Sequence, residues 1–128
     1  HYDGLENSEK FAWDFEQYAR VIYTALPKVK NWITSNDPCC SSILGDSVGR
    51  FAAGSTSNGE SNDFGYISTE QWIVGHNILI ANGRAVKAYR EQFKRTNGGQ
   101  IAIVINGDAT FTWNPTDNLD VEAANTKI

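Results

Sequence analysis

The feature that most constrains the fold is a pair of short apolar runs, each ending in polar residues and separated from the other by a single helical pattern. The first is Asn31-Trp32-Ile33-Thr34, within a β-branched and aromatic stretch over residues 29–35; it reads as a buried strand ending at Asn36-Asp37-Pro38. The second, Ile101-Ala102-Ile103-Val104-Ile105, is unbroken, as expected of a parallel strand buried on both faces, and ends in Asn106-Gly107-Asp108. Between them Trp72, Gly75, Leu79, Val86, Tyr89 and Phe93 share one helical face. Ser68 and Gln71 precede that face at capping-box spacing, and Asn97-Gly98-Gly99 stops it. Two strands joined by a crossover helix form a βαβ unit, the building block of doubly wound sheets and of barrels. No Gly-rich phosphate loop comes after either strand, which argues against dinucleotide binding.

The flanks extend the same alternation. Phe11, Phe15, Tyr18, Ile22 and Ala25 recur at spacings of four and three, predicting a helix over about residues 7–26 that Pro27 closes. Residues 39–67 carry no sustained period, and Gly, Ser and Asn crowd residues 54–65, so a long surface loop is expected there. After a Trp- and Pro-containing loop, residues 117–128 read as a further helix.

At 128 residues and 41% hydrophobic, the chain fits one globular domain or part of one. Its charge of −4, from 11 basic and 15 acidic residues without any basic cluster, makes nucleic acid an unsuitable partner. No apolar run approaches the roughly 18 residues of a membrane span, and no signal-peptide pattern opens the chain, so a soluble, non-membrane protein is expected, cytoplasmic or secreted. The chain starts at His1 and contains no Met, which points to a processed, cut or partial sequence. Cys39 and Cys40 are neighbours and are expected to be free thiols, because a disulfide between adjacent residues closes a strained ring.

Reactive groups of α/β folds gather where strands hand over to loops at the carboxyl edge. Asn36 and Asp37 sit there. A carboxyl at the mouth of a partly apolar pocket can serve as a general acid, and a neighbouring amide can hold a sugar hydroxyl. Taken alone, Asn36-Asp37-Pro38 reads as a turn. Glycoside hydrolysis needs two carboxylates, about 5–5.5 Å apart in a retaining enzyme, so a second must come from another strand. Asp108 is the only other acidic residue at an expected strand end, and it too reads as a turn residue rather than a catalyst. His76, early in the crossover helix, reads as a buried, hydrogen-bonded structural histidine. Neither a zinc site nor a Ser or Cys nucleophile with a His base finds support in the residues.

Several strings in the right order resemble family 1 glycoside hydrolases, above all fungal-type β-glucosidases. Asn31-Trp32-Ile33-Thr34-Ser35-Asn36-Asp37-Pro38 is similar to the family's W-I-T-F-N-E-P. Trp72-Ile73-Val74-Gly75-His76-Asn77-Ile78-Leu79, Gly83-Arg84-Ala85-Val86-Lys87-Ala88-Tyr89-Arg90 and residues 100–108 resemble the family's next helix and strand. So do Tyr2-Asp3-Gly4-Leu5, residues 14–21 and Asp120-Val121-Glu122-Ala123-Ala124 resemble their counterparts in the family. The resemblance implies an α/β fold in which residues 1–128 are part of one catalytic (β/α)8 TIM barrel, about two βα units with strands four and five. It implies a retaining β-glucosidase acting on terminal β-D-glucosides or oligosaccharides, with Asp37 at the acid/base position and Asn36 holding the 2-hydroxyl. The nucleophilic Glu would lie on strand seven, in the rest of the parent barrel, which the chain requires as a partner. No metal or organic cofactor is implied.

The chain departs from the family pattern in places. Asp37 stands where the family has Glu, drawing the carboxyl back by roughly 1–1.5 Å, a displacement that can lower a rate on the order of 100-fold. Ser35 replaces a usual Phe, Asp46 a usual Tyr, Ala53 and Gln71 usual prolines, and Asn82 a usual His. Two other classes stay open from sequence: a vestigial sugar-binding barrel that no longer cleaves, and a flavodoxin-like α/β module unrelated to sugars.

Overall fold

A computed structural model describes residues 4–45, 69–107 and 109–126. Its core is the expected βαβ unit. Strand β1 (Asn31–Asn36) pairs in parallel with β2 (Gln100–Val104), and helix α3 (Glu70–Ala88) lies between them in sequence. Helix α1 (Ser8–Ala25) precedes β1 and packs along α3, while the short α5 (Asn118–Asn125) comes after β2.

Local chemistry sets the boundaries. The Asn7 side chain accepts from the Lys10 N–H at 3.1 Å and caps α1, whose last turn closes ahead of Pro27. Asp117 does the same for α5 through the Leu119 N–H. Beyond Ala88 the rod continues as one wide turn over Tyr89–Phe93, where the Lys94 N–H reaches back to the Tyr89 carbonyl, and then as α4 (Lys94–Asn97). Gly98 ends it at φ 69°, the left-handed conformation glycine adopts without steric penalty. The start of α3 differs from expectation. Thr69 is the residue before the helix and makes no side-chain cap bond, and Ser68 lies outside the described residues.

The helices meet through small residues. The buried face of α1 is Ala12, Ala19 and Tyr23; that of α3 is Val74, Asn77, Ile78, Ala81, Ala85 and Ala88, continued by Tyr89. Alanine lets two helices approach closely, and aromatic rings fill the far end. This corrects the expected stripes: Tyr18, Trp72 and Leu79 are all exposed, Trp72 to 73%. His76 is exposed as well, not buried; its neighbour Asn77 is the interior polar residue, its side-chain NH2 donating to the Leu5 and Glu6 carbonyls at 2.8 and 3.0 Å. Buried polar groups need such partners.

At the amino ends of the strands, Tyr23 stacks edge-on against Trp32, Tyr89 and Phe93, with centroids 4.9–5.3 Å apart. Ile101 joins them from β2. The strands are less enclosed than their sequences suggest. Among the described residues helices cover only one face of the pair, so Ile33 stays 61% exposed, Ala102 is exposed, and β2 ends at Val104 rather than at Asn106.

Candidate functional site

The carboxyl end of β1 departs from regular pairing. Asn31, Trp32 and Ile33 face Gln100, Ile101 and Ala102 in step, but Asn36 is the partner of Val104. Thr34 and Ser35 therefore oppose the single residue Ile103, which is one extra residue on β1. Such bulges bend a strand and re-aim the side chains beyond them.

Asn36 and Asp37 come directly after the bulge. The Asp37 N–H donates to the Val104 carbonyl at 3.0 Å, extending the ladder by one bond. Its φ of 47° and ψ of 63° are left-handed, and it is the one non-glycine residue with positive φ among those described. Such a conformation costs about 1–3 kcal/mol for a residue with a Cβ, with Asp and Asn among the side chains that tolerate it best. Pro38 contributes, since the residue before proline is kept out of the right-handed helical region. Asp37 thus turns the chain from strand to helix: its carbonyl accepts from the Cys40 and Ser41 N–H groups at 2.9 and 3.3 Å.

The segment after Asp37 is helical, which corrects the loop expected there. Pro38–Cys40 form one α-helical turn (α2), and Ser41–Gly45 continue as a wider helical turn. Proline in the first position of a helix lacks only an N–H that would have no partner there, so Asp37-Pro38 carried a helix-start signal. Residues 46–67 of the expected loop lie outside the described residues. The turn is seated by Gly75 of α3, where an added Cβ would stand 3.6 Å from the Ser42 hydroxyl oxygen.

The Asp37 carboxylate makes no capping bond to the turn it starts. Instead Oδ2 accepts from the Asn36 side-chain NH2 at 3.1 Å. Asn36 is exposed and Asp37 half-buried, so a carboxyl and an amide stand side by side at the strand's carboxyl edge, open to a ligand. Asn106, just after β2, donates to the Cys40 sulfur at 3.8 Å and ties the two strand ends together. Cys39 and Cys40 are free thiols, as expected. Asp108 lies outside the described residues. Among the described residues no cluster of three or more His, Cys, Asp or Glu side chains could hold a metal ion, and no helix is long and apolar enough to cross a membrane.

Two recesses formed by described residues differ in their place relative to the site. The larger, about 430 Å³, is lined by Glu9, Lys10, Trp13, Asp14 and Arg84 on the outer surface of α1 and α3, and no strand-end residue lines it. The smaller, about 180 Å³, includes Ser35 of the bulge and Ser41 of the turn after Asp37, and is the one beside the candidate site. The sequence named Thr34 only as part of the strand and Asn82 only as a departure from the family pattern, and did not foresee that the two meet. The Thr34 hydroxyl lies within hydrogen-bonding reach of the Asn82 side-chain amide and of the Ala102 carbonyl, the latter at 3.1 Å. Their 48-residue separation left no local signal.

Comparison with known proteins gives the family of the chain. The profile described as glycosyl hydrolase family 1 matches residues 1–128. A β-glucosidase 1B of Phanerodontia chrysosporium is 43% identical over 124 residues, 96% of this chain and 23% of that protein. Among solved structures, a GH1 β-glucosidase from Humicola insolens in complex with glucose superposes with a TM-score of 0.89 at 56% identity, covering 100% of this chain and 27% of that one. The β-glucosidase of Trichoderma harzianum gives a TM-score of 0.80 at 54% identity, covering 98% and 24%. The chain thus spans about a quarter of the length of the relatives it matches.

Proposed function

The chain belongs to glycosyl hydrolase family 1, and from that premise we propose that it is part of the catalytic (β/α)8 barrel of a retaining β-glucosidase. In this reading β1 and β2 are strands four and five, and residues 1–128 are a portion of one catalytic domain. The substrate is a terminal β-D-glucoside, in keeping with the glucose held by the Humicola insolens relative.

The observation that carries the proposal is the placement of Asp37. It ends a parallel strand, it is turned by a bulge and a left-handed backbone, and its carboxylate is left uncapped beside the Asn36 amide. In its acid form Asp37 protonates the glycosidic oxygen as the bond to the sugar breaks. A Glu from a strand outside this chain attacks the anomeric carbon and forms the glycosyl-enzyme. Asp37, now a carboxylate, takes a proton from the water that releases the sugar. The Asn36 amide holds the 2-hydroxyl, a contact that strengthens as the ring flattens towards an oxocarbenium ion. Protein carboxyls alone supply these steps, and no cofactor enters them.

A second reading, a barrel that binds sugars without cleaving them, draws on one observation: Asp37 is a methylene shorter than the glutamate of the family pattern. Hydrolysis of an aryl β-glucoside by the full-length protein decides between the two. Turnover that rises on the order of 100-fold in Asp37→Glu supports the enzyme. Glucose binding without turnover in either form supports the vestigial barrel.

A further inference from the structure

The geometry points to Thr34 and Asn82 as positioning residues: a hydroxyl–amide clamp that holds the extra residue of β1 and so sets where Asn36 and Asp37 stand. The bulge has two members, Thr34 and Ser35, and both border the recess of about 180 Å³ that Leu5, Phe15, Ser41 and Ile78 also line. Thr34 is half-buried and bonded on two sides, to its partner strand through the Ala102 carbonyl and to α3 through Asn82. Two residues after the clamp comes Asn36, and then Asp37, whose N–H makes the last bond to β2.

The Thr34 hydroxyl has one proton and donates it to the Asn82 side-chain oxygen, with the Ala102 carbonyl 3.1 Å away as a second acceptor. The clamp therefore needs an acceptor at position 82 and a hydroxyl at position 34. Neither residue reaches the reacting atoms; both act through the backbone that carries Asn36 and Asp37.

The test uses the full-length protein with Thr34→Val, Thr34→Ser, Asn82→Leu and Asn82→His. The first readout is amide hydrogen exchange at Asp37, with Gln100, whose N–H bonds Lys30 at the far strand end, as the internal control. Thr34→Val and Asn82→Leu are expected to speed exchange at Asp37 about tenfold or more and to leave Gln100 unchanged, while Thr34→Ser and Asn82→His retain protection. Asn82→Leu removes the acceptor at nearly constant volume and covers the case in which Thr34→Val does not fold. Unchanged exchange at Asp37 in the folded variants, or equal acceleration at both amides, overturns the clamp.

The second readout rests on the acid/base reading of Asp37: kcat on an aryl β-glucoside is expected to fall about tenfold with KM held within about twofold, and to return in Thr34→Ser. A full-length protein with no hydrolysis at all contradicts the glycosidase reading, and the exchange result still decides the clamp. Hydrolysis with kcat unaltered in Thr34→Val and in Asn82→Leu overturns the positioning role.

Discussion

The two ends of the same strand pair are built on opposite principles. At the amino end the register is regular and side-chain hydrogen bonds tie the strands to the turn before each of them, although the buried Trp32 indole N–H has no partner among the described residues. Asn97 donates to the Pro27 and Val29 carbonyls at 2.9 and 2.8 Å and accepts from the buried Tyr89 hydroxyl at 2.9 Å, while Lys30 reaches its backbone carbonyl. Gly99 fits between them because it has no side chain: an added Cβ would stand 2.2 Å from the Lys30 carbonyl oxygen and 2.7 Å from the Tyr89 hydroxyl. At the carboxyl end the register slips by one residue, a recess opens beside Ser35, and a strained Asp37 leaves its carboxyl uncapped. In barrels one face carries stability and the other chemistry, and the proposed function assigns the two ends of this strand pair to those two faces.

If that division is real, damage at the amino end should be lethal to the fold. Gly99→Ala drives a Cβ into backbone that cannot move aside, and is expected to remove more than about 3 kcal/mol of stability or to prevent folding. Denaturant unfolding of the full-length protein measures it, and near-normal stability would break the comparison. Asn97→Ala leaves the Tyr89 hydroxyl and two carbonyls without their partner, an expected loss of about 2–3 kcal/mol. In both variants that fold, the catalytic constants should change far less than stability does.

The smallest expected effect is a pH dependence. Burial, and then the neighbouring Tyr89, push Tyr23 from an ordinary 10.0 up to about 12. Its neutral form is thus favoured in the folded protein, so the contribution is complete below pH 10 and is lost as pH rises from about 10 to 12. Unfolding midpoints across that window should fall in the native protein and fall less steeply in Tyr23→Phe. Parallel curves would mean that the aromatic cluster does not carry the alkaline limb.

How much of this was legible in the sequence differs between the ends too. The order of elements could be read from period and punctuation, and so could the helix boundaries near Asn7, Gly98 and Asp117, because each rests on chemistry within a few residues. Asn36 and Asp37 were legible as a strand end. The helix faces were not: α1 and α3 meet through Ala12, Ala19, Ala81, Ala85 and Ala88, and a reading weighted towards large side chains picks Tyr18, Trp72 and Leu79 instead. His76 was misplaced for the same reason, one position from the interior Asn77. The bulge left no trace, since an extra residue in a short run changes no composition, and its partner Asn82 is distant in sequence.

The most direct test of the central claim, that Asp37 donates the proton to the departing group, is the leaving-group dependence of hydrolysis by the full-length protein and its Asp37→Asn variant. Proton donation matters most when the departing group is a poor one. The account predicts a loss of about 10²–10⁴-fold on an alkyl β-glucoside and a much smaller loss in the first step on a dinitrophenyl β-glucoside. Equal losses on the two substrates, or none on either, would contradict it.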